Sequence, residues 1–159
     1  MQEHAAPAPL RALVSFGAGG CQNGAVTAEN CAIDAAPQRE EGEEMEPGGD
    51  CISCHFSEGE GPRYSIAGTV MSASDEDDGC LGLEGITVVI TDADGNSSEL
   101  LTNGVGNFFS NATIKTPYTA KVVRGDQEVA MSASQTDTNC ASCHTAEGAN
   151  EAPGRIIAP

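Results

Sequence analysis

The sequence predicts an all-β chain, an antiparallel β-sandwich flanked by two short helical segments and preceded by an irregular acidic N-terminal region. Three observations carry this reading. Six short runs rich in β-branched and aromatic residues, "YSIAGTVM", "GITVVITD", "SSELLT", "GNFFS", "PYTAKVVR" and "QEVAMS", follow one another between residues 64 and 133. Turn signals such as "DADG", "TNGVG" and "RGD" separate them, which is the rhythm of strands that reverse direction and pack as two sheets. A short cysteine-histidine pattern then brackets the block on both sides, as "DCISCHFSEG" at 50–59 and "NCASCHTAEG" at 139–148.

The elements follow in chain order as four segments, 1–44, 45–63, 64–133 and 134–159. Up to residue 50 the chain is small and acidic, including "REEGEEMEPGGD", and shows no sustained periodicity, so irregular structure is expected there. Within it, "PLRALVSFGAGGC" resembles the end of a lipoprotein export signal at Cys21, although Ala18 stands where a larger aliphatic residue belongs and Gln2 and Glu3 replace a basic start. A remnant of an export signal and a plain tail both remain open. In the strand-rich segment, Ile86, Val88 and Ile90 should face one side and Thr87, Val89 and Thr91 the other. The loop residues Asp92, Asp94 and Asn96 look like the opening of a calcium loop, but a turn between strands accounts for them. "RGD" at 124–126 reads as a turn in the same way.

Composition limits the function classes. The chain has 159 residues with 39% hydrophobic and only 4% aromatic content, no Trp, 19 Gly and 8 Pro, so a large self-sufficient core is not expected. Its 24 acids against 7 bases give a formal charge of −17, which argues against nucleic acid and anionic membrane surfaces and favours partners with basic surfaces. Seven cysteines imply disulfides, metal binding or covalent cofactor attachment.

The repeated pattern decides among these. In a helical turn Cys140 and Cys143 share one face, and His144 joins them four residues after the first cysteine. Cys51, Cys54 and His55 repeat the arrangement, and Asp50 and Asn139 each precede it where a side-chain oxygen can cap the turn. Two thiols at this spacing can add to the vinyl groups of a haem while the adjacent imidazole binds iron; C-x-x-C-H is the attachment signature of haem c. Two of the three histidines directly follow a CxxC. A disulfide within each CxxC, or one zinc held by Cys51, Cys54, Cys140 and Cys143, would not require the histidines there. The order of residues in "CISCHFSEGEGPR" and "CASCHTAEGANEAPGR" points to duplication of one module.

The two motifs resemble those of c-type cytochromes. The stretch "AGTVMSAS", "GITVVITDADGNSSELLTNGVGNFFS", "PYTAKVV" resembles the carboxypeptidase regulatory-like domain, a transthyretin-like or immunoglobulin-like β-sandwich. Together they imply an exported dihaem c-type cytochrome, periplasmic, surface-held or extracellular, that carries out electron transport and is not an enzyme. Cys51, Cys54, Cys140 and Cys143 would carry two covalent haem c groups, and His55 and His144 would bind the two irons. With only His4 left over, methionine is the expected sixth ligand: Met45 and Met131, each close before a motif, with Met71 ranked lower because a methionine on a strand usually fills core. Arg63 and Arg155 follow the motifs as candidate partners of haem propionates. Among Cys21, Cys31 and Cys80, one arrangement pairs Cys31 with Cys80 and leaves Cys21 to carry a lipid anchor. Six reversing strands would bring the motifs, and so the haems, close together, whereas a seventh would send them to opposite ends. The competing functions are a subunit of an extracellular cytochrome filament, with His4 reaching a neighbour's haem, and a peroxidase-like enzyme or gas sensor with one open iron.

Overall fold

The fold is known from a computed structural model that describes residues 42–44, 47–59, 61–72 and 82–159. His4, Cys21, Cys31, Met45 and Cys80 lie outside the described residues. The elements are one helix, α1 (Cys51–Glu58), and strands β1 (Ile66–Met71), β2 (Thr87–Thr91), β3 (Ser97–Leu101), β4 (Asn107–Ser110), β5 (Thr119–Arg124), β6 (Gln127–Ala130) and β7 (Ile156–Ile157), with a 3₁₀ turn at Cys140–Ser142. The class is all-β. Strands β1 to β6 coincide with the six β-rich runs, whereas β7 comes from the tail "GRIIAP", where two apolar residues make no alternating pattern.

The strands form two sheets, β4-β1-β7 and β3-β2-β5-β6. Neighbours are antiparallel except β1 and β7, which run parallel through Val70↔Ile156 and Met71↔Ile157. One core joins the sheets: Ile66, Val70 and Phe108 from the first meet Ile86, Val88, Ile90, Tyr118 and Val122 from the second. The expected alternation along β2 is present, with Val88 and Ile90 buried between half-buried neighbours. Asp92 organises the β2–β3 turn, since one carboxylate oxygen accepts from the backbone N–H of Asp94 and of Asn96, each at 2.9 Å, and the other accepts from Asn96 Nδ2 at 3.1 Å. The Asn96 side chain and these N–H groups hold the Asp92 carboxyl below its ordinary range. This loop is thus a self-satisfied turn, and Lys115 pairs with Asp94 beside it.

Strand β1 controls where the cysteine motifs sit. All six of its residues are buried, as happens when both faces of a strand are covered. Ile66, Gly68 and Val70 lie on the face shared with Phe108 and the core; Ala67, Thr69 and Met71 lie on the other face. The backbone before the first motif covers that second face: Gly48 N–H donates to Thr69 Oγ1 at 2.8 Å, and the Thr69 hydroxyl donates to Asn107 Oδ1 at 2.7 Å. On the edge of β1 opposite β4, the chain entering the second motif forms a parallel bridge, Ala67↔Asn139, just before β7 takes over the same edge. Both motifs therefore flank one strand.

Gly68 makes this arrangement possible. A Cβ at that position would sit 2.8 Å from Cys140 Cβ and 2.8 Å from Phe108 Cζ, inside contact distance of both. Gly68→Ala should therefore overpack the junction of β1, the core and the second motif, costing about 1–3 kcal/mol. A lowered urea midpoint with an unchanged m-value would show this; an unaltered midpoint would mean the junction is loose.

Candidate functional site

The first motif is a short capped helix. Asp50 Oδ1 accepts from Ser53 N–H at 2.9 Å, the backbone of Cys54 donates to Asp50 O at 3.0 Å, and Gly59, with φ of 68°, ends α1 in the left-handed region. Asp50 thus caps as its sequence position suggests. The second motif differs. Asn139 makes no cap to its own turn, and the role passes to Asp137, whose carboxylate accepts from Asn139 N–H at 2.9 Å and from Ser142 Oγ at 2.7 Å. The turn remains short because "TAEGANEAPG" follows, with left-handed conformations at Gly148, Asn150 and Glu151. His144 N–H still reaches Cys140 O at 2.9 Å, so Cys140, Cys143 and His144 share a single helical turn.

Freed from capping, Asn139 reaches across to the first motif. Its Nδ2 donates to Asp50 Oδ1 at 2.8 Å and lies 3.4 Å from Ser53 Oγ. The residues that immediately precede the two first cysteines are therefore in direct contact.

The two imidazoles are held differently. His144 Nδ1 lies 2.8 Å from the carbonyl oxygen of Gly154. Because a carbonyl can only accept, the proton is on Nδ1, which makes Nε2 the ring nitrogen open to a metal. His55 packs its ring against Gly61, where a Cβ would lie 2.6 Å from Nδ1, and its buried Nδ1 has no hydrogen-bond partner. The His55 ring also meets Tyr64 at 5.2 Å, and Tyr64 meets Phe109 at 4.6 Å, so an aromatic run leads from the first motif to β4. Burial, together with the nearby Cys51 and Glu43, pushes the Tyr64 hydroxyl above its ordinary pKa.

The sulfurs divide by environment. Cys143 Sγ is near Ser142 Oγ at 3.6 Å and Asn150 Nδ2 at 3.7 Å. Cys140 packs against the core beside Tyr118, and burial pushes its thiol up to about 12. Tyr118, whose hydroxyl donates to Asp137 O at 2.8 Å, is raised too, first by burial and then by Cys140. Cys51 Sγ lies 3.6 Å from Gly49 O. Cys54 is disulfide-bonded. That bond withholds one of the four thiolates a shared zinc would need, and among the described residues no group of three or more His, Cys, Asp or Glu converges as a metal site.

Of the other predicted site residues, Met71 and Arg155 come together, whereas Met131 and Arg63 do not. A cavity of about 20 Å³, room for roughly one water, is lined by Met71, His144, Arg155, Cys140 and Thr69 among others. Met131 instead bonds through its backbone to Ala120 and packs its side chain against the core. Arg63 is exposed, its guanidinium 5.5 Å from the centre of the Phe56 ring, which is itself 70% exposed. Sequence reasoning missed Asp137, Tyr118 and Gly154. Only Gly154 left a local signal, the Pro-Gly step that follows the motif.

Comparison with protein-family models, curated proteins and solved structures finds no match for this chain. No helix among the described residues is long and apolar enough to cross a membrane.

The thiol of Cys140 gives a direct test of this geometry. A thiol released near 9.0 in the unfolded chain and held to about 12 in the fold leaves the unfolded state with fewer protons in that window. Its contribution to stability is therefore complete below pH 9.0 and declines as pH rises toward about 12, with Tyr118 acting in the same direction. Urea titrations of the thiol form on both sides of that lower bound should show the decline, and Cys140→Ala should make it shallower. Iodoacetamide should label Cys140 slowly until the chain is unfolded.

Proposed function

We propose that this chain is an exported dihaem c-type cytochrome that works in electron transport, with two haem c attachment segments carried by an immunoglobulin-like or transthyretin-like β-sandwich. The observation that carries the reading is the His144 Nδ1–Gly154 carbonyl bond, which turns the one imidazole following a CxxC in the second motif into an Nε2 donor. The gathering of Cys140, Cys143 and His144 in one turn supports it, as does the unpartnered buried nitrogen of His55 in the first motif. At the second motif the donor set fits haem c, with Cys140 and Cys143 for thioether bonds and His144 for iron. A bound haem would supply a one-electron ferric/ferrous couple whose potential the protein tunes by ligand and burial. The two-sheet architecture with three and four strands supports the sandwich part of the reading.

Within this reading the chain's own residues have definite jobs. Gly154 holds the His144 ring in one tautomer. Met71 borders the same small cavity as His144 and Arg155, which supports Met71 over Met131 as the methionine available there. That cavity is far too small to enclose a porphyrin. The strong negative charge suits a redox partner with a basic surface.

The disulfide at Cys54 favours a second reading, in which only the second motif carries haem and the first is fixed by a sulfur bridge. A thioether and a disulfide at one sulfur exclude each other. Mass spectrometry of natively matured protein separates the readings: two haem additions support the first, one supports the second, and none removes both. His144→Ala should lower the low-spin haem signal in the Soret region without removing the covalent addition at Cys140 and Cys143; an unchanged spectrum would show that another group binds that iron.

A further inference from the structure

We propose that the first motif is a redox-sensitive latch on the second: the disulfide at Cys54 anchors α1, α1 holds Asn139 through Asp50, and Asn139 keeps the Cys140 thiol shut against β1. The inference goes beyond the haem reading and does not depend on it, because every part of the latch belongs to this chain.

The parts are joined in series. Cys54 and Asp50 share the opening turn of α1, where Asp50 O accepts from Cys54 N–H at 3.0 Å and Asp50 Oδ1 accepts from Ser53 N–H at 2.9 Å. The same Oδ1 accepts from Asn139 Nδ2 at 2.8 Å, so a carboxylate fixed by its own helix grips the residue directly before Cys140. Asn139 carries the second turn with it. Its N–H donates to Asp137, its carbonyl accepts from Ser142 N–H at 3.1 Å, and a parallel bridge to Ala67 sets it on the edge of β1. Cys140 then lies so close to the strand that a Cβ on Gly68 would be 2.8 Å from Cys140 Cβ.

The Asn139 amide shows which contact governs it. Its Oδ1 is buried without a partner, an unfavourable state for a carbonyl oxygen. A flipped amide would turn that oxygen toward the Asp50 carboxylate and lose the charge-assisted bond, so the clasp to α1 fixes the side chain. The helix at the other end needs an anchor of its own, since eight residues are too few to persist by propensity. Cys51 in the same turn is a thiol, so the bridge at Cys54 does not close within the motif and ties α1 to another part of the chain.

Reduction releases the latch. A dithiol reductant gives two electrons and two protons to the bridge; the S–S bond breaks, Cys54 and its partner sulfur become thiols, and the reductant closes to its own disulfide. Without that anchor α1 frays, Asp50 lets go of Asn139, and the second turn opens from β1 more often. Cys140, packed against the core, then becomes reachable by an electrophile. Cys143 is the internal reference, because its sulfur lies beside the polar side chains of Ser142 and Asn150.

The test uses the full chain with Cys140 and Cys143 as thiols and no haem. Iodoacetamide labelling followed by peptide mass mapping reads each cysteine separately. With the bridge intact, Cys140 should label more slowly than Cys143. After reduction by a dithiol its rate should rise about tenfold, the factor that one charge-assisted hydrogen bond is worth, while the far-UV circular dichroism and the Cys143 rate stay as they were. Cys54→Ser should match the reduced wild type. Asn139→Ala should show the faster rate with the bridge still in place, and reduction should add little to it. Equal Cys140 rates in oxidised and reduced wild type would overturn the latch. A response to reduction of the same size in Asn139→Ala would overturn the clasp as its route. Should Asn139→Ala lose its native circular dichroism, Asp50→Asn, which keeps the cap while weakening the bond to Asn139, is judged by the same two outcomes. The number of haems found on matured protein leaves these rates untouched, so the latch and the haem reading fail separately.

Discussion

The coverage of β1 on both faces is the constraint on which the rest of this structure depends. An ordinary strand in a two-sheet protein turns one face to the core and one to water, yet here Ala67, Thr69 and Met71 are buried along with Ile66 and Val70. What buries them is the cysteine-bearing chain itself, from the Gly48 backbone bonded to Thr69 to the His144 side chain near Met71. In a protein with 4% aromatic residues this matters, because it lets two short, polar motifs contribute to the core's enclosure instead of hanging from its ends. The buried pair Thr69 and Asn107 is satisfied in the same way, by bonds that connect β1, β4 and the segment leading into α1.

This dual role puts sulfur chemistry and packing in competition. A thiol wedged under β1 beside Tyr118, with its ionisation suppressed, is a poor nucleophile in the folded chain. Under the proposed reading, thioether formation at Cys140 belongs to a stage before β1 and the second motif close together. The bridge at Cys54 poses the same question for the first motif, since whichever bond forms first at that sulfur excludes the other.

Much of this was legible in the sequence, and the boundary of what was legible has physical causes. Strands β1 to β6 announced themselves through β-branched runs and turn residues, and Cys140, Cys143 and His144 through spacing that any helical turn enforces. The Asp50 cap followed from its position. Contacts between distant parts of the chain did not show: Asn139 and Asp50 are 89 positions apart, and an asparagine before a turn reads as a cap until another acceptor is seen to outbid it. The place of Met71 was equally hidden, because a continuous run such as "IAGTVM" does not say what covers its second face. The strand β7 carries too few residues to form any pattern at all.

The parallel pairing of β7 with β1 also bears on how the molecule assembles. Val70 finds its partner in Ile156, far along the chain, and no hairpin can deliver that partner locally. The loop to be closed is long and the reward is two residues of ladder, so this edge should zip late, after the hairpins β2–β3 and β5–β6 have formed. Until it does, one side of the central strand stays open to other chains, and slow docking of the last segment becomes the step at which this protein is most exposed to aggregation.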